Sequence, residues 1–123
     1  MSIRKRILVA DRVRRPPVDG FSWLDRRFLR DFASRLSGDA VFLYLFLSAV
    51  SDKHGLSFYA DSTLALRLRV GELAVVRGRD ELIAADLVAY QAPLTQVLSL
   101  PASFVQRSNP GGVLRQLFQD DLS

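Results

Sequence analysis

The sequence predicts an α+β fold, mainly α, with a small antiparallel β-ribbon. Three observations carry this. Apolar residues recur at helical spacing between Ser22 and Leu36, and an almost unbroken apolar run of helical length follows from Ala40 to Val50. The stretch Asp61 to Leu68 reads as a short helix and Glu72 to Ala85 as a longer one, joined only by Arg69-Val70-Gly71. Two short runs, Leu87-Val88-Ala89-Tyr90 and Gln96-Val97-Leu98-Ser99-Leu100, then flank a tip at Gln91-Ala92-Pro93-Leu94-Thr95. The expected organisation is an N-terminal arm of residues 1–18, a body of residues 19–100 and a tail of residues 101–123 with a short amphipathic helix.

The arm comes first. Pro16-Pro17 excludes helix at its end and favours polyproline geometry. Ile7-Leu8-Val9 suits either a short strand or docking on the surface. Arg4, Lys5, Arg6, Arg12, Arg14 and Arg15 face a single acid, Asp11, so the arm carries +5 of a whole-chain charge of +4. The remaining residues therefore sum to −1, and the positive field belongs to the arm. Such arms contact nucleic acid or anionic surfaces, or merely keep a chain soluble.

Asp19-Gly20 marks a turn. Ser22 is the expected N-cap of a first helix reaching Leu36, with Leu24, Phe28, Phe32 and Leu36 on its inner stripe and Asp31 paired to Arg35. Its arginines could touch phosphates or form a solvated face. Ser37 caps the next helix, Asp39 to about Ser51, whose sequence Ala40-Val41-Phe42-Leu43-Tyr44-Leu45-Phe46-Leu47 demands cover on most sides. Asp52-Lys53-His54-Gly55 is a turn, which places His54 on the surface. Leu56-Ser57-Phe58-Tyr59 alternates and reads as a strand pairing with the later ribbon.

Asp61 or Ser62 is the expected cap of the third helix, with Leu64, Ala65 and Leu68 inward and Val70 anchoring the turn. Gly71 opens the fourth helix, Val75, Leu82 and Ala85 are its core positions, and Asp86 closes it. Pro93 fits a hairpin tip better than a strand interior. Beyond Pro101, Ser108-Asn109-Pro110-Gly111-Gly112 is a turn cluster, and Val113, Leu114, Leu117 and Phe118 form one side of a helix too short to stand alone.

Composition narrows function. Hydrophobic residues at 49 % and charged residues at 24 % suit a folded domain. Without cysteine, disulfides and thiolate metal sites are excluded. Ile7 to Ala10 is shorter than a signal peptide's apolar region, and Ala40 to Val50 is shorter than a membrane span. A cytoplasmic, nucleoid-associated protein without a membrane partner is expected. No nucleophile set, phosphate loop or paired metal ligands appears, and Asp80 and Glu81 are adjacent on a helix and point different ways. The chain is therefore not expected to be an enzyme or to need a cofactor.

The residues from Ser37 through Phe42-Leu43-Tyr44-Leu45, then His54-Gly55-Leu56-Ser57-Phe58, Leu64-Ala65-Leu66-Arg67-Leu68-Arg69-Val70, and Leu82 followed by Asp86-Leu87-Val88, resemble a winged helix-turn-helix domain. The likeness covers roughly residues 36–100 and is to the kind found in replication initiators, primosomal proteins and regulators on mobile elements. It implies double-stranded DNA as partner and a role in transcription regulation or DNA replication. In that family the motif's second helix enters the major groove with its early residues at base edges. The corresponding residues here are Gly71, Glu72, Leu73, Val76 and Arg77. Arg77 offers the one base-reading fork, Glu72 an acceptor, and Leu73 and Val76 groups that meet thymine methyls. Arg67, Arg69 and Arg79 are expected at phosphates, with the arm adding most of the electrostatic affinity.

The sequence departs from the family at two points. Arg79 stands where an aliphatic residue is usual, and no Lys or Arg lies between Leu87 and Leu100. The alternative is a protein–protein module of a larger nucleoprotein complex, built on the apolar fourth helix, the wing and Leu117-Phe118. Dimerisation through the aromatic second helix or the tail is compatible with either.

Overall fold

A computed structural model describes residues 3–105. The fold is α+β and mainly α. Three helices, α1 (Gly38–Val50), α2 (Asp61–Leu68) and α3 (Glu72–Ala84), pack with three short strands, β1 (Leu56–Phe58), β2 (Val88–Gln91) and β3 (Leu94–Val97). The sheet is antiparallel with order β1-β3-β2, so β3 is central. The helix expected in residues 113–119 lies outside the described residues.

The core forms where apolar stripes converge. Leu43, Tyr44 and Leu47 from α1 meet Leu64 and Ala65 from α2, Val75 and Leu82 from α3, and Leu87 and Val88 from the start of the hairpin. Val75, Leu82 and Ala85, expected as core, are all sealed from solvent. Phe28 and Phe32 close the far side, and Phe28 stacks on Tyr44 with centroids 4.0 Å apart. Such a pair adds directional attraction to the area it buries. Helix α1 is covered on most sides, as expected, and leaves Phe42 exposed.

Ser37 caps α1 as expected, its hydroxyl oxygen accepting from the amide of Ala40 at 3.2 Å. The structure adds a cross-link to α3. The Ser37 amide donates to Glu81 Oε1 at 2.9 Å, and its hydroxyl donates to Glu81 Oε2. Close by, Gly78 of α3 lies against the backbone of Ala40, and a Cβ there would sit 3.4 Å from the Ala40 Cα. The two helices thus cross at a point where one has no side chain and the other only a methyl.

Three local expectations are corrected. No regular helix starts at Ser22. Its hydroxyl donates instead to the Ala49 carbonyl at 2.8 Å, and helical turns begin only around Arg26, where Asp25 accepts from the amide of Arg27 at 2.9 Å. The segment continues as a π-helix over Phe28–Phe32 and a 3-10 turn over Ala33–Arg35. This wider turn, closed by the amide of Ala33 on the Phe28 carbonyl, lets both phenylalanines reach the core. Asp31 pairs with Arg30 rather than Arg35, whose guanidinium lies over Phe104. Finally, the hairpin is tighter than expected: β3 begins at Leu94, leaving Ala92-Pro93 alone between the strands.

Strand β1 pairs with β3 of the hairpin, as its alternation predicts, with Ser57 opposite Thr95 and both buried. Gly55 sets up this pairing. Its φ of +83° suits glycine, its carbonyl accepts from the Val97 amide at 2.8 Å, and a Cβ would collide with the Val97 carbonyl.

Candidate nucleic-acid interface

Helices α2 and α3 are separated by a tight reversal. Arg69 adopts a left-handed conformation at φ +60°, which lets its amide and that of Val70 return to carbonyls of the last turn of α2. Gly71 is the N-cap of α3 and has no side-chain bond. The outer face of α3 starts at once: Glu72, Leu73, Val76 and Arg77 are exposed, with Leu73 at 60 % and Leu66 of α2 at 77 %. Arg67 and Arg69 are also exposed, and among the described residues neither they nor Arg77 enters an ion pair.

Arg79 is a correction. Expected at phosphates, it is buried, with its side chain 6 % exposed and bound to Asp61 at the start of α2. Its guanidinium lies 3.9 Å from the centroid of the Tyr90 ring on β2. The reason is periodicity: Val75, Gly78, Arg79 and Leu82 are the buried stripe of α3, so a cation at that position must find its partner inside. The same contact explains why Asp61 does not cap α2. The N-cap is Ala60, without a side-chain bond, and the Asp61 carboxylate is turned to Arg79. One side chain therefore ties α2, α3 and the hairpin together. The signal was present in the sequence as an arginine on an apolar stripe.

The hairpin that follows α3 carries no cation. Its tip exposes Ala92, Pro93 and Leu94, and Leu94 stands opposite exposed Phe58. The arm is exposed throughout residues 3–18. It forms neither the strand nor the docked segment considered for Ile7-Leu8-Val9, only a 3-10 turn at Ala10–Arg12. Arg4, Lys5, Arg6, Arg12, Arg14 and Arg15 thus all face solvent. Leu66, Arg69 and Glu72 line one shallow depression where α2 and α3 meet, and Leu73, Val76 and Arg77 are exposed further along α3, while the arm supplies charge from a separate stretch of chain.

His54 is exposed in its turn, and no group of three potential metal-ligating side chains occurs among the described residues. No described helix is long and apolar enough to cross a membrane. No family model, curated protein or solved structure matches the chain.

Proposed function

We propose that the chain is a DNA-binding protein of the winged helix-turn-helix type, in which α3 enters the major groove and the arm grips the phosphate backbone. The observation that carries this reading is Arg77. It is exposed on the early outer face of a helix that follows a three-residue turn and precedes a β-hairpin, beside Leu73 and Val76. A guanidinium so placed offers the bidentate fork that guanine accepts, and the two apolar neighbours suit thymine methyls. Arg67 and Arg69 flank the site as phosphate ligands, whereas Arg79 serves the interior. Because the hairpin is uncharged, attraction falls to the arm, and phosphate contacts there fix position rather than sequence. A role in transcription regulation or in replication of a mobile element is in keeping with such a module.

The test is salt-dependent binding to a randomised duplex pool. Full-length chain should lose affinity steeply with salt, and removal of residues 1–18 should reduce the slope of log affinity against log salt by about five, close to one for each arm cation lost. Arg77→Ala should relax sequence preference at one position. A flat salt response would sink the reading.

A second reading rests on a specific observation: Leu66 and Leu73 are both exposed where the two helices meet. Exposed leucines in this arrangement suit a protein partner, and the same surface would then join a larger nucleoprotein assembly. A flat salt response together with a complex lost on Leu73→Lys would favour it.

A further inference from the structure

Away from α2 and α3 lies a cleft of about 580 Å³, within the size range of ligand sites. It is bounded by residues 21–27, the C-terminal half of α1, the turn before β1 and the chain leaving β3, and it shares no residue with the outer face of α3. Two aromatic side chains line it while remaining largely in solvent: Phe21 is 68 % exposed and Trp23 is 76 % exposed. The backbone that presents them is held at two points. Ser22 between them donates to the Ala49 carbonyl at 2.8 Å, and Arg27 donates to the Pro101 carbonyl at 3.3 Å. Tyr44 and Ser48 also line the cleft, and burial pushes the Tyr44 phenol above its ordinary value, so it stays a neutral donor.

The charges around the cleft are largely committed. The Asp25 carboxylate is taken up by Arg27, and Asp52 accepts from the amides of His54 and Leu56, while Lys53 and His54 line the cleft and remain exposed. The lining is therefore close to neutral, while the exposed segment that leads along the chain to Phe21, residues 3–18, is densely cationic. A ligand that satisfies both must be planar and weakly polar where it meets the rings and anionic alongside.

We propose that this cleft receives an unpaired base of a single-stranded nucleic acid, stacked on Trp23 and Phe21, with the adjoining phosphates held by the arm and Lys53. Base–aromatic stacking beside a cationic track is the general chemistry of single-strand binding. A flat anionic lipid surface fits less well, because the aromatic pair faces a concavity. The site stands independently of the duplex reading given above.

Trp23 is the only tryptophan in the chain, so it reports directly on this site. The full chain is titrated with single-stranded thymidine and uridine oligonucleotides of about 16 residues, with an abasic strand of equal length, and with phosphatidylserine vesicles. Quenching of Trp23 by both base-bearing strands and not by the abasic strand is the expected result; a response to one sugar only would assign the ligand as DNA or RNA. Phe21→Ala should weaken single-strand binding about 5- to 150-fold. Duplex affinity should be retained in Phe21→Ala, and single-strand quenching should be retained in Arg77→Ala, which separates this site from α3. Folding is checked by thermal melting, which truncation of so exposed a side chain should leave unmoved. Equal quenching by the abasic strand, a blue shift with vesicles alone, or a Trp23 signal that follows protein concentration without any oligonucleotide would each overturn the proposal.

Discussion

Asp61→Asn isolates the contact between α2, α3 and the hairpin. The change removes the negative charge beside Arg79 and keeps a side chain of the same size. Stranding one member of a sealed ion pair costs about 3–5 kcal/mol. Here only Arg79 is sealed, for the Asp61 side chain is 32 % exposed and water already reaches it. Asn also retains an acceptor oxygen, so the loss from pairing should be about 2 kcal/mol. Loss of a negative charge from the first turn of α2 adds about 0.3–1 kcal/mol. The total of about 2–3 kcal/mol corresponds to a fall in Tm of roughly 8–15 °C for a domain of this size. Urea and thermal denaturation followed by far-ultraviolet circular dichroism measure it. Adding Arg79→Met should restore at least half of the loss, since an apolar side chain then replaces an unpaired cation. The reasoning fails if Asp61→Asn stays within about 0.5 kcal/mol of the parent, or if the double variant is less stable than the single one.

Gly55→Ala should cost more than about 2 kcal/mol by chemical denaturation, because it adds left-handed strain to a collision with the Val97 carbonyl. Arg69→Gly should do the reverse, raising stability by about 1 kcal/mol by relieving a left-handed non-glycine residue, while lowering DNA affinity through the lost cation. Asp25 and Asp52 both titrate below the usual carboxylate range, chiefly because backbone amides donate to them, from Arg27 in the first case and from Leu56 and His54 in the second. A carboxyl depressed in the folded state contributes stability at neutral pH that is lost as the pH falls through its folded value. Urea midpoints should therefore drop below about pH 4, and replacing both residues by Asn should flatten that drop.

Residues whose behaviour is local were legible in the sequence. Ser37 capped the helix it precedes, the stripe Val75, Leu82 and Ala85 went to the core, and the alternation of Leu56 to Phe58 produced a strand that joined the hairpin. Apart from Asp31, which pairs with its neighbour Arg30, the misses share a cause in partners remote along the chain. Ser22 has the right chemistry for a cap, yet its hydroxyl finds a carbonyl 27 residues away. Arg79 was placed at phosphates although it stands where an aliphatic residue is usual, because the carboxylate that receives it inside lies 18 residues earlier. The strand expected over Gln96 to Leu100 moved forward because Leu94 and Thr95 pair with Phe58 and Ser57, which only the third strand reveals. Among the candidate site residues, exposure was anticipated correctly for Leu73, Val76 and Arg77, whereas the cleft beneath Phe21 and Trp23 depends on a fold-back that no short window contains.

The bond between Ser37 and Glu81 has a kinetic corollary. It joins the Gly78–Ala40 crossing, also against α1, and the Arg79 contact with α2 and the hairpin in holding α3 at three points. On the proposed DNA-binding reading, a duplex landing on α3 meets a surface with little ordering left to do, while the exposed cationic leader must still be ordered. Capture and retention are then governed by different parts of the chain: changes in the leader should act mainly on how fast complexes form as ionic strength varies, and changes on α3 mainly on how long they last.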